Sequence, residues 1–292
     1  MILVVDSGAT KTHWMMCDTS GEKMRECITS GINPYYQSAC SIVDMLSANE
    51  YAEFFSSDVP EVVYFYGAGC ANVSNKLLIE EALSAFFSCK VFVQSDLLGA
   101  ARALFGDEPG IACILGTGAS VCYYDGSTIV QDLPSLGFIL GDWCSGASLG
   151  KRLTADYYCK RLPADLYEDF KNRFNIDYGE FMNSVYRATY PNRYLASFVP
   201  FLVDHQTSSY VKALLKEEYL ALWYNYLIVY SRYELPIGVV GSVGYLFRHL
   251  LTPLFQESFV CVADFLKDPL PKLCQYHLHR FDAFSNYKNR TC

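Results

Sequence analysis

The sequence predicts an α/β protein built from two similar halves, and three observations carry that expectation. Short apolar runs ending in glycine turns alternate with stretches of helical periodicity, the pattern of strands and crossover helices in layered α/β folds. The opening also recurs: Val5-Asp6-Ser7-Gly8-Ala9-Thr10 and Leu115-Gly116-Thr117-Gly118-Ala119-Ser120 each run from an apolar strand into a Gly-Ala-hydroxyl turn. The recurrence begins directly after Gly106-Asp107-Glu108-Pro109-Gly110, a turn cluster suited to a domain boundary.

Taken in order, residues 2–6 form an apolar strand, 13–18 a second, and 23–29 a returning third after the turn at 19–22. A helix over 38–55 follows, then a strand at 61–66 ending in Gly67-Ala68-Gly69. A helix at 74–87, a short strand at 91–95 and a helix from Leu97 complete an N-terminal α/β lobe over 1–108. The second lobe, 109–280, opens with strands at 111–118 and 121–124 and carries a helical insert at about 146–232, where aromatics recur at i, i+3 and i+4. It closes with a strand at 236–243, a helix at 245–255, a strand at 259–263 and a helix at 269–279. Residues 281–292 read as a polar, pattern-free tail.

Composition narrows the function classes. Hydrophobic residues make up 51% of the 292 and charged residues 18%, which is globular, and the formal charge is −8 with no block of Lys or Arg. Such a chain has no electrostatic footprint for nucleic acid or an anionic membrane. The N-terminus lacks the basic region of a signal peptide, and the richest apolar run, 220–230, is interrupted by Asn225 and reads as a buried helix. The twelve cysteines contain no C-x-x-C pair and lie mostly inside apolar runs, which predicts free thiols in a reducing cytoplasm. Cys274-x-x-His277-x-His279 lacks a fourth metal partner nearby and reads as a helix end. The aromatics Tyr219, Trp223, Tyr224 and Tyr226 serve either as lobe core, the reading preferred here, or as the face of a homodimer.

Three glycine/hydroxyl turns, 6–12, 116–120 and 238–244, each follow an apolar strand. Glycine there lets backbone N–H groups approach a phosphate, and threonine hydroxyls add donors. No G-x-x-x-x-G-K-[ST] is present, and any one of these is an ordinary turn by itself; three of them in a duplicated α/β chain point to a nucleotide cleft. Asp6, beside the first turn, suits Mg²⁺, which favours one or two carboxylates plus phosphate oxygens. Asp96 follows a strand and precedes a helix, so it is either a helix N-cap or, facing the ligand crevice at the carboxyl end of its strand, a general base.

These residues resemble a known family. Asp6-Ser-Gly-Ala-Thr-Lys-Thr12, Ser95-Asp96, Leu115-Gly-Thr-Gly118, Leu136-Gly-Phe-Ile-Leu-Gly-Asp142 and Val240-Gly-Ser-Val243 are similar, in order and spacing, to the BadF/BadG/BcrA/BcrD-type ATPases, above all their N-acetylglucosamine kinase branch. The resemblance runs from Met1 to about His279. It implies a duplicated ribonuclease-H-like, actin-like ATPase fold whose two lobes bind ATP, Mg²⁺ and an amino sugar in the cleft between them. It further implies that Asp6 organises Mg²⁺ and that Gly8, Thr10, Lys11 and Thr12 form a first phosphate loop. Thr117 and Gly118 would form the second loop, and Gly241 and Ser242 the adenosine contact. Asp96 would be the catalytic base, with Asn33, Gly69 and Asp142 at the sugar. The chain departs from the family's G-D-E-G-S-G at Trp143 and Cys144, and from its G-T-G-S-N at Ala119 and Ser120. Two alternatives accompany the kinase reading: an iron–sulfur ATPase activator using Cys144, and a nucleotide or sugar sensor that has lost turnover.

Overall fold

The computed structural model describes residues 1–8, 10–18, 23–56, 58–258 and 260–288, with side chains described for all of these except 23, 24, 231–233 and 281–288. Ala9 of the first glycine turn, the expected turn at 19–22, Phe259 at the head of an expected strand and residues 289–292 lie outside that set. The chain forms two compact units, one of Met1–Glu108 with Gly126–Thr128 and the segment from Asp268 onward, the other of Pro109–Asp125 and Ile129–Lys267.

The first unit runs β1 (Ile2–Ser7), β2 (Lys11–Cys17), β3 (Lys23–Ser30), α1 (Ala39–Leu46), α2 (Asn49–Ser56), β4 (Val62–Gly67), α3 (Val73–Phe87), β5 (Lys90–Ser95) and α4 (Asp96–Phe105). Its sheet has the order β3-β2-β1-β4-β5, antiparallel across β1, β2 and β3 and parallel across β1, β4 and β5. β1 reads as an unbroken apolar run because both of its faces are buried. Leu3 and Val5 join Trp14, Val63, Phe65, Val91 and Val93 beneath Ile42, Phe55, Leu83 and Phe87 of the helices.

The second unit opens with β6 (Gly110–Leu115), β7 (Ala119–Tyr124) and β8 (Ile129–Asp132). The helices α5 (Gly137–Leu140), α6 (Gly146–Tyr158), α7 (Ala164–Phe174), α8 (Tyr178–Tyr186), α9 (Pro191–Ala196), α10 (Val199–Asp204) and α11 (Ser209–Asn225) follow, then a 3₁₀ segment at Leu227–Tyr233. β9 (Ile237–Val240), α12 (Ser242–Leu246), α13 (Arg248–Glu257) and β10 (Val262–Leu266) close it. Its sheet order, β8-β7-β6-β9-β10, repeats that of the first unit strand for strand, with the same antiparallel and parallel pairings. The duplication suggested by two short glycine turns is therefore a duplication of whole sheets. Tyr219 and Tyr226 are core residues and Trp223 packs, partly buried, against the same core, whereas Tyr224 is exposed.

Three expectations need correction. The helix at 38–55 is two helices, parted at Ser47 and Ala48; Ser47 is the C-cap of the first, its hydroxyl donating to the Val43 carbonyl at 2.8 Å. The last strand is displaced to Val262–Leu266; it is a sheet edge, half-exposed, and so lacks the continuous apolar run that marks the central strands. Finally, the segment assigned to the second lobe up to 280, with a loose tail from 281, is one helix, α14 (Leu270–Lys288), and it belongs to the first unit. No glycine or proline follows Pro271 to stop it, so each added residue gains a backbone hydrogen bond. Its buried residues Leu270, Leu273, Cys274, His277 and Leu278 cover the sheet face opposite α3, with the His277 ring stacked 3.6 Å from that of Tyr64. His277 Nε2 also lies 2.8 Å from the Tyr66 hydroxyl, and burial, then Arg102 and Arg280, push its pKa down to about 3.

Among the described residues, no helix is long and apolar enough to cross a membrane, and no three His, Cys, Asp or Glu side chains converge to hold a metal. The eleven described cysteines are all free thiols.

Candidate functional site

In the first unit, Asp6 lies near the carboxyl end of β1, opposite His13 of β2 and beside Tyr66 of β4. Burial raises its carboxyl pKa to about 7, helped by Asp268 and Asp96 and opposed by His13 and Lys11. Asp96 is raised to about 6, mainly by burial, although its Oδ1 accepts the Leu97 N–H at 2.9 Å. Its structural alternative was a helix cap. The N-cap position falls to Ser95, whose hydroxyl accepts the Leu98 N–H, so Asp96 is the first helical residue of α4; one of its oxygens serves the Leu97 N–H, and among the described residues no hydrogen bond engages the other.

The first glycine turn is closed by the Gly8 N–H donating to the Lys11 carbonyl at 3.0 Å, with Thr10 and Lys11 exposed. Thr12 serves the fold instead. It is fully buried, and its hydroxyl lies 2.7 Å from that of Ser7 and accepts the Ile32 N–H at 3.0 Å. Through those bonds Thr12 positions Gly31-Ile32-Asn33. Asn33 and Gly69 come together: a Cβ on Gly69, whose φ is +82°, would lie 2.9 Å from Asn33 Oδ1. Asn33 Oδ1 in turn accepts the Tyr35 N–H at 3.0 Å.

Sequence reasoning missed one residue here, Asp268. It accepts the Leu270 N–H through one oxygen, at 2.9 Å, and lies 2.7 Å from His13 Nδ1 through the other. Burial works against its ionisation, but the His13 hydrogen bond and the Leu270 N–H outweigh it and hold Asp268 below the usual carboxylate range. His13, in the same pairing, is held above its usual range. The available signal was Lys267-Asp268-Pro269, an acidic residue and a proline at a helix start.

In the second unit the glycine turn 116–118 is wrapped by the segment 141–147. The Gly146 and Ala147 N–H groups donate to the Gly116 and Thr117 carbonyls at 2.8 and 3.0 Å. Asp142, buried at φ +55°, accepts the Ala119 N–H through Oδ1 at 3.2 Å, and its Oδ2 lies 2.9 Å from where a Cβ on Gly118 would stand. Burial raises the Asp142 carboxyl pKa, opposed by the Ala119 N–H and Lys151. Trp143 packs edge-on against Tyr226, with ring centroids 4.9 Å apart, and Cys144 is fully buried in the core, so both departures from the family pattern are packing residues here.

Gly241 joins this group. Its φ is +122°, and any Cβ would strike the Leu115 carbonyl oxygen, with the Gly116 N at 3.1 Å. Ser242 follows it as the exposed first residue of α12. Gly241→Ala is expected to cost on the order of 3 kcal/mol, from the strained backbone and the carbonyl clash together. Thermal denaturation of the purified variant checks this; a melting temperature within a degree of wild type would show that the turn relaxes freely.

Negative charge gathers around Asp6 in the first unit. Asp6 is pressed by Asp96 and Asp268, and Lys11 and His13 only partly offset them. With no three-ligand cage among the described residues, an ion there would have to arrive with oxygen ligands of its own, as Mg²⁺ does on phosphates.

No protein-family model and no curated protein sequence matches the chain. Solved structures do. A candidate N-acetylglucosamine kinase from Porphyromonas gingivalis superposes with a TM-score of 0.91 at 36% identity, over 96% of this chain and 99% of that one. A candidate N-acetylglucosamine kinase from Chromobacterium violaceum gives 0.68 at 19% identity over 94% and 98% of the two chains. A ROK family glucokinase from Streptomyces griseus, solved with glucose and AMPPNP, gives 0.58 at 14% over 94% and 97%. The last two likenesses speak for the fold alone, the duplicated α/β fold of the actin-like ATPases and sugar kinases. At 36% identity over nearly the whole of both chains, the protein belongs to the same family as the candidate N-acetylglucosamine kinase of Porphyromonas gingivalis.

Proposed function

We propose that the protein transfers the γ-phosphoryl group of ATP to a hydroxyl of an amino sugar, with N-acetylglucosamine the first substrate to test. The observation that carries this reading is Asp96: a carboxyl group at the carboxyl end of β5, raised to about 6 by burial, with Ser95 rather than Asp96 at the N-cap position of α4. General bases work best with a pKa near the operating pH, and a raised carboxylate is a stronger proton acceptor than a solvated one. In this reading Gly8, Thr10 and Lys11 form the first phosphate loop, Thr117 and Gly118 the second, and Gly241 with Ser242 meets the adenosine. Asn33, Gly69 and Asp142 hold the sugar. The narrower kinship with the BadF/BadG/BcrA/BcrD-type ATPases rests on the five motifs, and a cytoplasmic setting goes with the free cysteines.

Phosphoryl transfer asks the protein mainly for positioning and charge stabilisation. Asp6 would hold Mg²⁺, which when bound neutralises charge on the phosphate oxygens. Asp96 accepts the proton of the attacking sugar hydroxyl. The glycine turns would let the phosphates approach the backbone closely, with the Thr10, Lys11 and Thr117 side chains adding donors.

Turnover with MgATP against a panel of amino sugars and simple hexoses tests the reading; absence of activity on every amino sugar would sink it. The pH profile adds a second expectation. Asp96 must be ionised to act, so kcat/KM for the sugar is expected to rise with pH, reach half its limit near pH 6 and level off about one pH unit above, as Asp96 loses its proton. A profile flat down to pH 5 would assign the proton to another group.

A further inference from the structure

The geometry points to Glu218 as a positioning residue that locks the 141–146 turn and, through it, the second glycine loop. Glu218 is carried by α11, at the far end of the helical insert in sequence, yet its side chain is only 5% exposed. Its Oε2 accepts two hydrogen bonds, from the Cys144 N–H at 2.9 Å and from the Ser148 hydroxyl at 2.7 Å. Its Oε1 faces Arg152 Nη1 at 3.6 Å. A buried carboxylate is tolerated because hydrogen-bond donors such as these satisfy it.

What it holds is a conformation that the turn does not favour by itself. Asp142 and Cys144 both sit at positive φ, +55° and +63°, without being glycine. Left-handed backbone is unfavourable at non-glycine residues and persists only where the surroundings enforce it. The Cys144 N–H is buried, and its bond to Glu218 fixes the direction of that peptide. From this peptide the chain of contacts reaches the loop directly. The Ser145 N–H returns to the Asp142 carbonyl at 3.1 Å, and the next two N–H groups, of Gly146 and Ala147, hold the Gly116 and Thr117 carbonyls. On the other side of the turn, the Asp142 carboxyl group accepts the Ala119 N–H and lies against Gly118. Three hydrogen bonds thus tie residues 116–119 to a turn whose shape Glu218 enforces.

This inference rests on the kinase reading for its functional meaning, since the loop matters as a phosphate loop only there. Substitutions separate clamping from bulk stability. Glu218→Gln keeps one oxygen for both donors and loses only the ionic pair with Arg152. Glu218→Ala removes the acceptor, and Glu218→Asp keeps the charge but withdraws it by one methylene. AMPPNP affinity in the presence of Mg²⁺ is expected to fall about tenfold or more in Glu218→Ala and Glu218→Asp, and to stay within about threefold of wild type in Glu218→Gln. Amide hydrogen exchange should accelerate at 116–119 and 142–147 while β6 and β9 keep their protection.

The exchange arm reads the clamp even if wild type phosphorylates no sugar, so failure of the kinase reading and failure of this one remain distinguishable. Unchanged exchange at 116–119 in Glu218→Asp would overturn the proposal. So would acceleration spread evenly over the whole second unit, or a Glu218→Gln protein as impaired as Glu218→Asp. If Glu218→Ala fails to fold, Glu218→Asp and Glu218→Gln carry the comparison.

Discussion

Asp96→Asn is expected to lower sugar-dependent ADP release by about 10²- to 10⁴-fold, the range a positioned general base contributes. AMPPNP affinity should stay within about twofold, because the glycine loops carry the nucleotide and Asn preserves the acceptor for the Leu97 N–H. The variant should also be at least as stable as wild type at neutral pH, and the sign follows from the pKa. In the folded protein burial raises the Asp96 carboxyl to about 6, from an ordinary aspartate value of 3.8. Folding therefore favours the protonated form. The group costs nothing below about pH 4, its cost grows between about pH 4 and 6, and it is constant above. Asn removes that cost, worth at most about 3 kcal/mol. A dead but unfolded variant would contradict this, and a variant with near-normal turnover would remove Asp96 from the chemistry. Stability curves and coupled-assay turnover on the same preparation decide between the outcomes.

How much of this was legible in the sequence depends on how local each signal is. β1, β4, β6 and β9 announced themselves because central strands are buried on both faces and carry uninterrupted apolar runs. The edge strand β10 did not, because half of it faces solvent. The duplication showed through the turns at Gly8 and Gly118; at Gly118 a close approach to the Asp142 carboxyl group explains the glycine, a constraint written into a single residue. Thr12 looked like a phosphate ligand by its place in the motif, but its hydroxyl is drawn inward by Ser7 and Ile32. Such a partner, some twenty residues away across a hairpin, leaves no mark in a local pattern. Asp268 and Glu218 were invisible for a stronger version of the same reason. Each reaches the neighbourhood of its motif from a helix or helix start more than seventy residues distant, and nothing in its own neighbours in sequence distinguishes it from a surface acid.

Asp6 carries the second large effect, and here stability and function should move in opposite directions. Its carboxyl group is raised to about 7 by burial and by the neighbouring Asp268 and Asp96, so the folded protein resists its ionisation. In the absence of nucleotide and metal, that resistance is a destabilisation that is absent below about pH 4, grows between about pH 4 and 7, and is full above, reaching up to roughly 4 kcal/mol. Asp6→Asn should therefore raise the melting temperature of the ligand-free protein by several degrees at pH 8 and leave it unchanged at pH 4. In the kinase reading the same substitution removes the carboxylate that attracts the ion, and MgATP-dependent turnover should fall on the order of 10³-fold or more. The wild-type protein should gain stability when Mg²⁺ and AMPPNP are added together, by mass action on the folded state, and Asp6→Asn should lose most of that gain. Melting curves at pH 4 and pH 8, with and without Mg²⁺ and AMPPNP, test every part. A variant less stable than wild type at pH 8 would mean that Asp6 is satisfied where it stands, and that the acidic cluster is a structural network rather than a place prepared for a cation.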